Sequence, residues 1–489
     1  MKLSETHAPW FEDSLQRFSE ILSEAEIQQI RDIQASPLPT GIRINPLKAN
    51  PHKAIHDLTA RYSWEVKPIP FCDNAWLINS AEFPPGKTIE HRLGVYYLQD
   101  AASMVPVSLM DFDQPFPLIL DMAASPGGKT THLVDQTGDQ GFILANDASN
   151  ARIPALRSVL STWGGINLAV TNFPGELFGN WFPETFDRVL LDAPCSMENL
   201  RPSPAHPLRA TTQDERLRLQ DRQVQLLISG LQALKTSGQM VYATCSLAPE
   251  EDEAVINRVL NTFSNEISIE SVSEKLPFKA PGLPAFGSDT YHPTLIHSLR
   301  LWPHITGMSG FFCCLLKKHK PIPASSERPP SRDFSRTHLI PASQTFQDQI
   351  REILTNNYGF NIQALLDDFR LHLFTRYEEV YLIPEAYLEH FNTLPFEFIG
   401  MSIGLWRGGK FQPSIEFISR FGGFFTTGMI KIEDDQVQAW SAGRDIRNPQ
   451  TGLIPSGQYL LVVDSSGRNL GLGKLLPKRL RNMLPRVSI

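Results

Sequence analysis

The chain has 489 residues, more than one core usually spans, so about two to four domains are expected. Composition is that of an ordinary globular protein, and no run approaches the roughly 20 apolar residues needed to cross a bilayer. A net charge of -7 argues weakly against a nucleic-acid binder, but Gly473 to Asn482 carries four basic residues and no acid, with Arg486 following. That stretch reads equally well as an RNA-facing patch or as a solvated face.

The start, Met1 to His7, has no apolar core and no cleavage site, so no signal peptide is expected. The five cysteines are Cys72, Cys195, Cys245, Cys313 and Cys314. An odd number without CxxC spacing points to reduced thiols, a cytoplasmic location and no metal site.

In chain order, residues 1–110 read as an α+β segment. Apolar residues at Leu15, Phe18, Ile21 and Leu22 predict a helix over 15–33. A strand follows at 41–46, a helix at 52–62 and a strand at 75–78. Over 111–318 strands alternate with helices, with strands at 118–120, 141–145, 167–170, 188–191, 239–242 and 310–316. A long amphipathic helix at 212–234 precedes the fifth of these. That alternation predicts an α/β fold with a mostly parallel sheet and helices on both faces. Residues 319–336 form a linker whose Pro, Ser and charge content resists packing. The remainder, 337–489, is mixed, with helices at 346–356 and 362–367 and several short strands.

Three strand ends carry the chemistry. The first opens into Asp121-Met122-Ala123-Ala124-Ser125-Pro126-Gly127-Gly128-Lys129-Thr130. A P-loop needs glycine where Ala123 stands, and the dinucleotide fingerprint Gly-x-Gly-x-x-Gly is absent. What remains is a turn whose small residues let backbone approach a ligand. Asp147 follows the next strand, where a carboxylate suits a ribose diol. Strand, glycine turn, helix, strand, acid is how an S-adenosylmethionine site looks; a structural turn plus a helix cap is the plain alternative. The other two ends are Asp192-Ala193-Pro194-Cys195-Ser196 and Ala243-Thr244-Cys245-Ser246. Ligands of open α/β sheets sit beyond such ends, so the three runs meet at one crevice, where a thiolate serves covalent chemistry.

With both cysteine runs, the chain resembles the Nol/Nop/Sun family of RNA cytosine-C5 methyltransferases. Asp121 to Leu133 resembles its cofactor motif. Asp192 to Ser196, and Thr244-Cys245-Ser246 with Pro249-Glu250-Glu251, resemble its two cysteine motifs. Arg300 to His304 with Gly310-Phe311-Phe312 resembles its last strand. Arg43-Ile44-Asn45 and Tyr97 to Ser103 resemble its N-terminal RNA-binding extension. Gly404 to Pro413 and Leu470 to Lys474, with Leu480-Arg481-Asn482 and Pro485, resemble more loosely the PUA-like C-terminal extension of the bacterial small-subunit ribosomal RNA methyltransferases of F type.

The resemblance implies a Rossmann-like S-adenosylmethionine methyltransferase domain at 111–318, between an RNA-binding extension (1–110) and a PUA-like RNA-binding region (337–489). It implies Cys245 as nucleophile, with Cys195 aiding product release as base or by steering it. Asp192 would hold the base edge near N3, with Lys129 between it and the reacting groups. Ala123, Ala124, Ser125, Pro126, Gly127, Gly128, Lys129, Asp147, Arg152, Asn172 and Asp192 would line the cofactor. The implied partner is 16S ribosomal RNA, within the 30S subunit or its precursor, bound by a monomer without membrane or metal. The chemistry requires the covalent route: C5 of cytosine becomes nucleophilic only once a thiolate has added to C6. Trp302, Trp406 and Phe411 are candidates to stack on bases, though small cores claim such residues more often.

Three positions depart from the family pattern. Pro174 stands where the family has an Asp that contacts the adenine amine, leaving Asn172 or a backbone carbonyl to substitute. Met197-Glu198-Asn199 replaces a Gly-x-Gly, and Thr236-Ser237-Gly238 replaces a Pro-Gly-Gly. Pro174 and Met197 keep open a non-catalytic RNA-binding or ribosome-assembly factor on the same scaffold. A tRNA substrate with the same chemistry is a further alternative.

Overall fold

Ser23 decides how the chain begins. Its backbone N–H and hydroxyl donate to Glu26 Oε2 at 2.8 and 2.7 Å, and its Oγ accepts the Glu26 N–H at 3.3 Å. This reciprocal cap starts a new helix, so the single helix expected over 15–33 is two, Pro9–Arg17 and Glu24–Gln34. Their apolar side chains, Leu15, Phe18, Ile27 and Ile30, pack on Leu200, Leu247 and Trp302. Leu200 and Leu247 lie just beyond the two cysteine runs, so the N-terminal helices sit against the crevice. The computed structural model describes residues 9–34, 38–201, 210–325, 327–450 and 454–485; Met1 to His7, Ser326 of the linker and Arg486 lie outside the described residues.

An antiparallel sheet follows, from β1 (Thr40–Ile44), β2 (Trp64–Pro68), β3 (Ala75–Ala81) and β4 (Tyr96–Leu98), in the order β2-β3-β1-β4. Then come β5 (Leu118–Asp121), β6 (Phe142–Asn146), β7 (Leu168–Thr171), β8 (Phe186–Asp192) and β9 (Leu234–Thr244). These five pair in parallel, in the order β9-β8-β5-β6-β7. They are apolar runs because helices cover both faces. Leu120, Val189, Leu191 and Tyr242 face the helix Gln213–Ala233, while Ile119, Leu190 and Val241 share a core with the helices Gly128–Gln136 and Ile153–Trp163. Strand order reverses between β5 and β8, which opens the ligand crevice of such sheets.

The strand Phe311–Lys318 adds antiparallel to β9, with β10 (Ile267–Ile269) outside it. On the opposite edge, Phe398–Ile399 pairs antiparallel with β7. The C-terminal region therefore completes the central sheet as well as forming two five-stranded sheets of its own.

Within the segment 319–336, residues 319–333 carry no helix or strand among those described, and a 3-10 turn begins at Phe334. Contrary to expectation they do pack: Ile322 is buried with the main core, and Phe334 beyond them meets Phe374, Tyr387 and Phe396. The few apolar residues outweigh the polar majority. Trp302 and Phe411 are likewise buried, and Trp406 packs edge-on against Phe346. No helix among the described residues is long and apolar enough to cross a membrane.

Candidate active site

The turn after β5 is held from three sides. Gly127 has a φ of 112°, which favours glycine, and a Cβ there would press on Val159 and Leu156 of the helix Ile153–Trp163. At Gly128 a Cβ would meet the Tyr97 ring at 2.9 Å. Arg43 of β1, fully buried, donates to the Gly128 carbonyl at 3.0 Å and to Thr131 Oγ1 at 2.6 Å. The buried Asn146 amide at the end of β6 donates to the carbonyls of Met122 and Phe173 and accepts from Thr171 Oγ1, tying together the ends of β5, β6 and β7.

Asp147 accepts the Ser125 N–H at 3.1 Å and the Ser149 N–H at 2.8 Å, one on each oxygen. A carboxylate has about four acceptor positions, so one remains per oxygen. Arg152 lies 3.5 Å from Asp147 and donates to the Ser125 carbonyl. Asp121 Oδ2 accepts Thr130 Oγ1 at 2.7 Å, but its buried Oδ1 has no partner among the described residues. Burial, with the nearby Asp192 charge, pushes the Asp121 carboxyl up to about 7. Asp121 Oδ1 thus awaits a donor, and Asp147 offers the acceptors of a diol site. Ala123, Ala124, Ser125, Pro126 and Gly127 form the backbone between them. These residues fit S-adenosylmethionine, whose ammonium and ribose hydroxyls supply such donors. Asn172 Nδ2 donates to the Asp147 carbonyl at 2.7 Å, while its amide oxygen has no partner among the described residues. Pro174 is exposed.

Beyond β8 and β9 the two cysteine sulfurs lie 3.2 Å apart. The hydrogen bond to Cys245, then burial, pushes the Cys195 thiol well above its ordinary value. Cys195 therefore keeps its proton beside Cys245. Lys129 Nζ donates to Asp192 Oδ2 at 2.6 Å and to Ser103 Oγ at 3.3 Å, and lies 5.3 Å from the Phe311 ring centre. Burial works against this ammonium, but Asp192 and then Cys245 outweigh it and leave its pKa raised.

The structure thus brings Cys195, Cys245, Asp192 and Lys129 together at the ends of β5, β8 and β9, with Ala123–Gly128, Asp147, Arg152 and Asn172 around the neighbouring ends. Cys72, Cys313 and Cys314 are buried, Cys313 opposite Ala243 on the neighbouring strand. No group of three metal-ligating side chains occurs among the described residues. Sequence reasoning gave no role to several residues that hold the site. Ser103 reaches Lys129 from the N-terminal segment. Glu198 is bound by Arg17 at 3.3 Å and Arg216 at 2.9 Å, and Arg17 also grips Glu250 at 2.6 Å. Met197 and Ser237, which replace family glycines, have φ values of 64° and 68°.

The family model described as 16S rRNA methyltransferase RsmB/F matches residues 111–317, and the N-terminal domain of 16S rRNA methyltransferase RsmF matches residues 12–101. A ribosomal RNA small subunit methyltransferase F from Aeromonas hydrophila subsp. hydrophila is 31% identical over 458 residues, covering 92% of this chain and 91% of the relative. The chain belongs to this family. The relative of the same name from Vibrio parahaemolyticus is 30% identical over 460 residues, with coverage of 92% and 91%. Membership in the F family bears out the resemblance carried by the cysteine motifs. A methyltransferase homolog from Pyrococcus horikoshii shares 29% identity at a TM-score of 0.55, over 64% of this chain and all of its own length. NSun6 from the same organism, solved with SFG, shares 19% identity at a TM-score of 0.52, over 63% and 98%, a likeness of fold alone. The fold is that of the Rossmann-like methyltransferases.

Proposed function

We propose that this protein methylates carbon 5 of a cytosine in 16S ribosomal RNA, in the 30S subunit or its precursor, through a covalent adduct on Cys245. The observation that carries the reading is the pair of sulfurs 3.2 Å apart beside the Lys129–Asp192 pair. The relatives, small-subunit ribosomal RNA methyltransferases by name, support that RNA as substrate.

S-adenosylmethionine supplies an electrophilic methyl group on a sulfonium. Asp121 would take its ammonium, Asp147 its ribose hydroxyls, and the Asn172 amide oxygen stands in for the acceptor that Pro174 lacks. The target base must leave its stack to reach the crevice. The Cys245 sulfur, once deprotonated, adds to C6 and makes C5 nucleophilic. Asp192 holds the N3 edge, favouring the protonated, electrophilic ring. After methylation the C5 proton passes to solvent water and the C6–S bond breaks, its electron pair returning to the Cys245 sulfur. A Cys195 that retains its proton then donates to the Cys245 sulfur as that atom regains its electrons. This favours assisted departure over base catalysis for Cys195.

The test is transfer of labelled methyl to naked 16S rRNA, 30S subunits and tRNA, with nucleoside digestion of the product. Label recovered as 5-methylcytidine in 16S rRNA or 30S, and absent with Cys245→Ala, is the expected result. Label in tRNA alone would reassign the substrate. Failure of a folded, cofactor-binding protein to label any of them would favour the non-catalytic scaffold.

A further inference from the structure

Glu251 is fully buried, yet no cation pairs with it among the described residues. Burying a carboxylate without a counter-charge is costly unless hydrogen bonds satisfy it. Here they do. Oε1 accepts the hydroxyl of Ser196 and, at 3.0 Å, that of Ser246. Oε2 accepts the Ser196 N–H at 2.8 Å and Gln223 Nε2 at 3.1 Å. Gln223 Nε2 also donates to the Pro194 carbonyl at 2.9 Å, so the residues on either side of Cys195 are both tied to this group. Ser196 follows Cys195 and Ser246 follows Cys245, and their hydroxyls lie 3.2 Å apart, the same spacing as the two sulfurs. The Glu251 main chain is fixed in turn, since Tyr242 Oη donates to its carbonyl at 2.5 Å and its N–H donates to the Ala248 carbonyl at 2.9 Å.

We propose that Glu251 is a positioning residue that sets the spacing of the two active-site sulfurs, by binding with one carboxylate the residue that follows each cysteine. Its catalytic consequence rests on the two-cysteine reading above; the spacing itself does not. β8 and β9 are in register through Asp192↔Ala243, but both cysteines stand past that last pair, where no ladder holds them. Past that pair one backbone bond, from the Leu247 N–H to the Glu198 carbonyl at 2.9 Å, joins the two loops, and Glu251 adds the cross-link next to the cysteines themselves. Two hydroxyls, a backbone N–H and the Gln223 amide N–H demand an acceptor at every position, which only the carboxylate provides. A glutamine would keep one oxygen for the hydroxyls and turn an NH2 toward the donors of Ser196 and Gln223.

Phenylarsine oxide gives a readout that needs no methylation. It condenses with two thiols, forming two As–S bonds and releasing one water, so capture requires both sulfurs within reach of one arsenic. Glu251→Gln is compared with wild type, with Ser246→Ala as a milder variant that cuts only the Cys245 side, and with Cys195→Ala to confirm that the pair is the captor. Glu251→Gln is expected to weaken capture about 10-fold through lost preorganisation. Turnover should fall about 100-fold, as for an ångström-scale misplacement, with Kd for RNA and cofactor unchanged and Ser246→Ala intermediate in both readouts. Wild-type capture in both Glu251→Gln and Ser246→Ala would overturn the proposal, whatever happens to turnover. If Glu251→Gln does not fold, Ser246→Ala alone decides by the same criterion. Methyl transfer by Cys245→Ala would instead sink the two-cysteine reading and leave the capture result to judge the spacing.

Discussion

Ser237 occupies left-handed backbone, with a φ of 68°, and is exposed. A side chain there costs conformational energy and gains no packing. Ser237→Gly is expected to raise stability by about 0.5–1 kcal/mol, read as a higher urea midpoint at constant slope. The two cysteines divide by a different measurement. Cys195→Ala should accumulate an RNA–protein adduct that survives denaturation, because the step after methyl transfer slows, whereas Cys245→Ala should form none. Rapid turnover by Cys195→Ala without trapped adduct would remove Cys195 from product release. At this scale much of the site was legible in sequence. Cys195, Cys245, Asp192 and Lys129 sit in short runs whose chemistry is local. Ser103 and Glu251 were not legible as holders of the site, because a hydrogen bond between residues 26 or 55 positions apart leaves no local pattern.

Arg17 ends the first helix and forks to two carboxylates, Glu198 beyond Cys195 and Glu250 beyond Cys245. The N-terminal helices therefore hold both cysteine loops from outside while Glu251 ties them beneath. Arg17→Ala leaves a buried Glu198 with Arg216 as its remaining arginine, and should destabilise by about 1–2 kcal/mol. Arg17→Lys should recover little of that, since an ammonium lacks the planar fork that spans two acceptors. Chemical denaturation of the three proteins checks the order. The parallel strands were legible because each is a short apolar run bounded by turn residues. The Ser23 break was masked by apolar residues that continue the helical spacing on both sides of it. The strand Phe398–Ile399 is too short to carry any period.

Across the whole molecule, three parts of the chain meet at Lys48. Its buried ammonium donates to the carbonyls of Leu93 and Thr162 at 2.6 Å each and to Ser419 Oγ at 2.8 Å. Burial, then the adjacent Arg420, lowers its pKa to about 7, with Glu416 opposing. An unfolded lysine titrates near about 10.4. Between those values the unfolded chain binds a proton the folded chain has released, so stability rises with pH across that window. Lys48→Met should abolish this slope, so the unfolding free energy of wild type minus that of the variant should increase from pH 7 to pH 9. An unchanged difference would show that Lys48 keeps its proton. The sequence announced the order of the three parts but not this junction, which depends on side chains 45 to 371 positions apart.

The pairing of Phe398–Ile399 with β7 also bears on how this protein tolerates being shortened. A chain cut after the linker would leave bare the carbonyls of Leu168 and Val170, which accept the Gly400 and Glu397 N–H groups at 3.0 and 2.8 Å, along an apolar strand, a template for a second copy to add to. The first symptom of such a truncation would be self-association, ahead of any loss of grip on RNA. A dissection of the molecule into parts has to give β7 a new neighbour, or a charged residue on that border, before the behaviour of the pieces can be attributed to the parts removed.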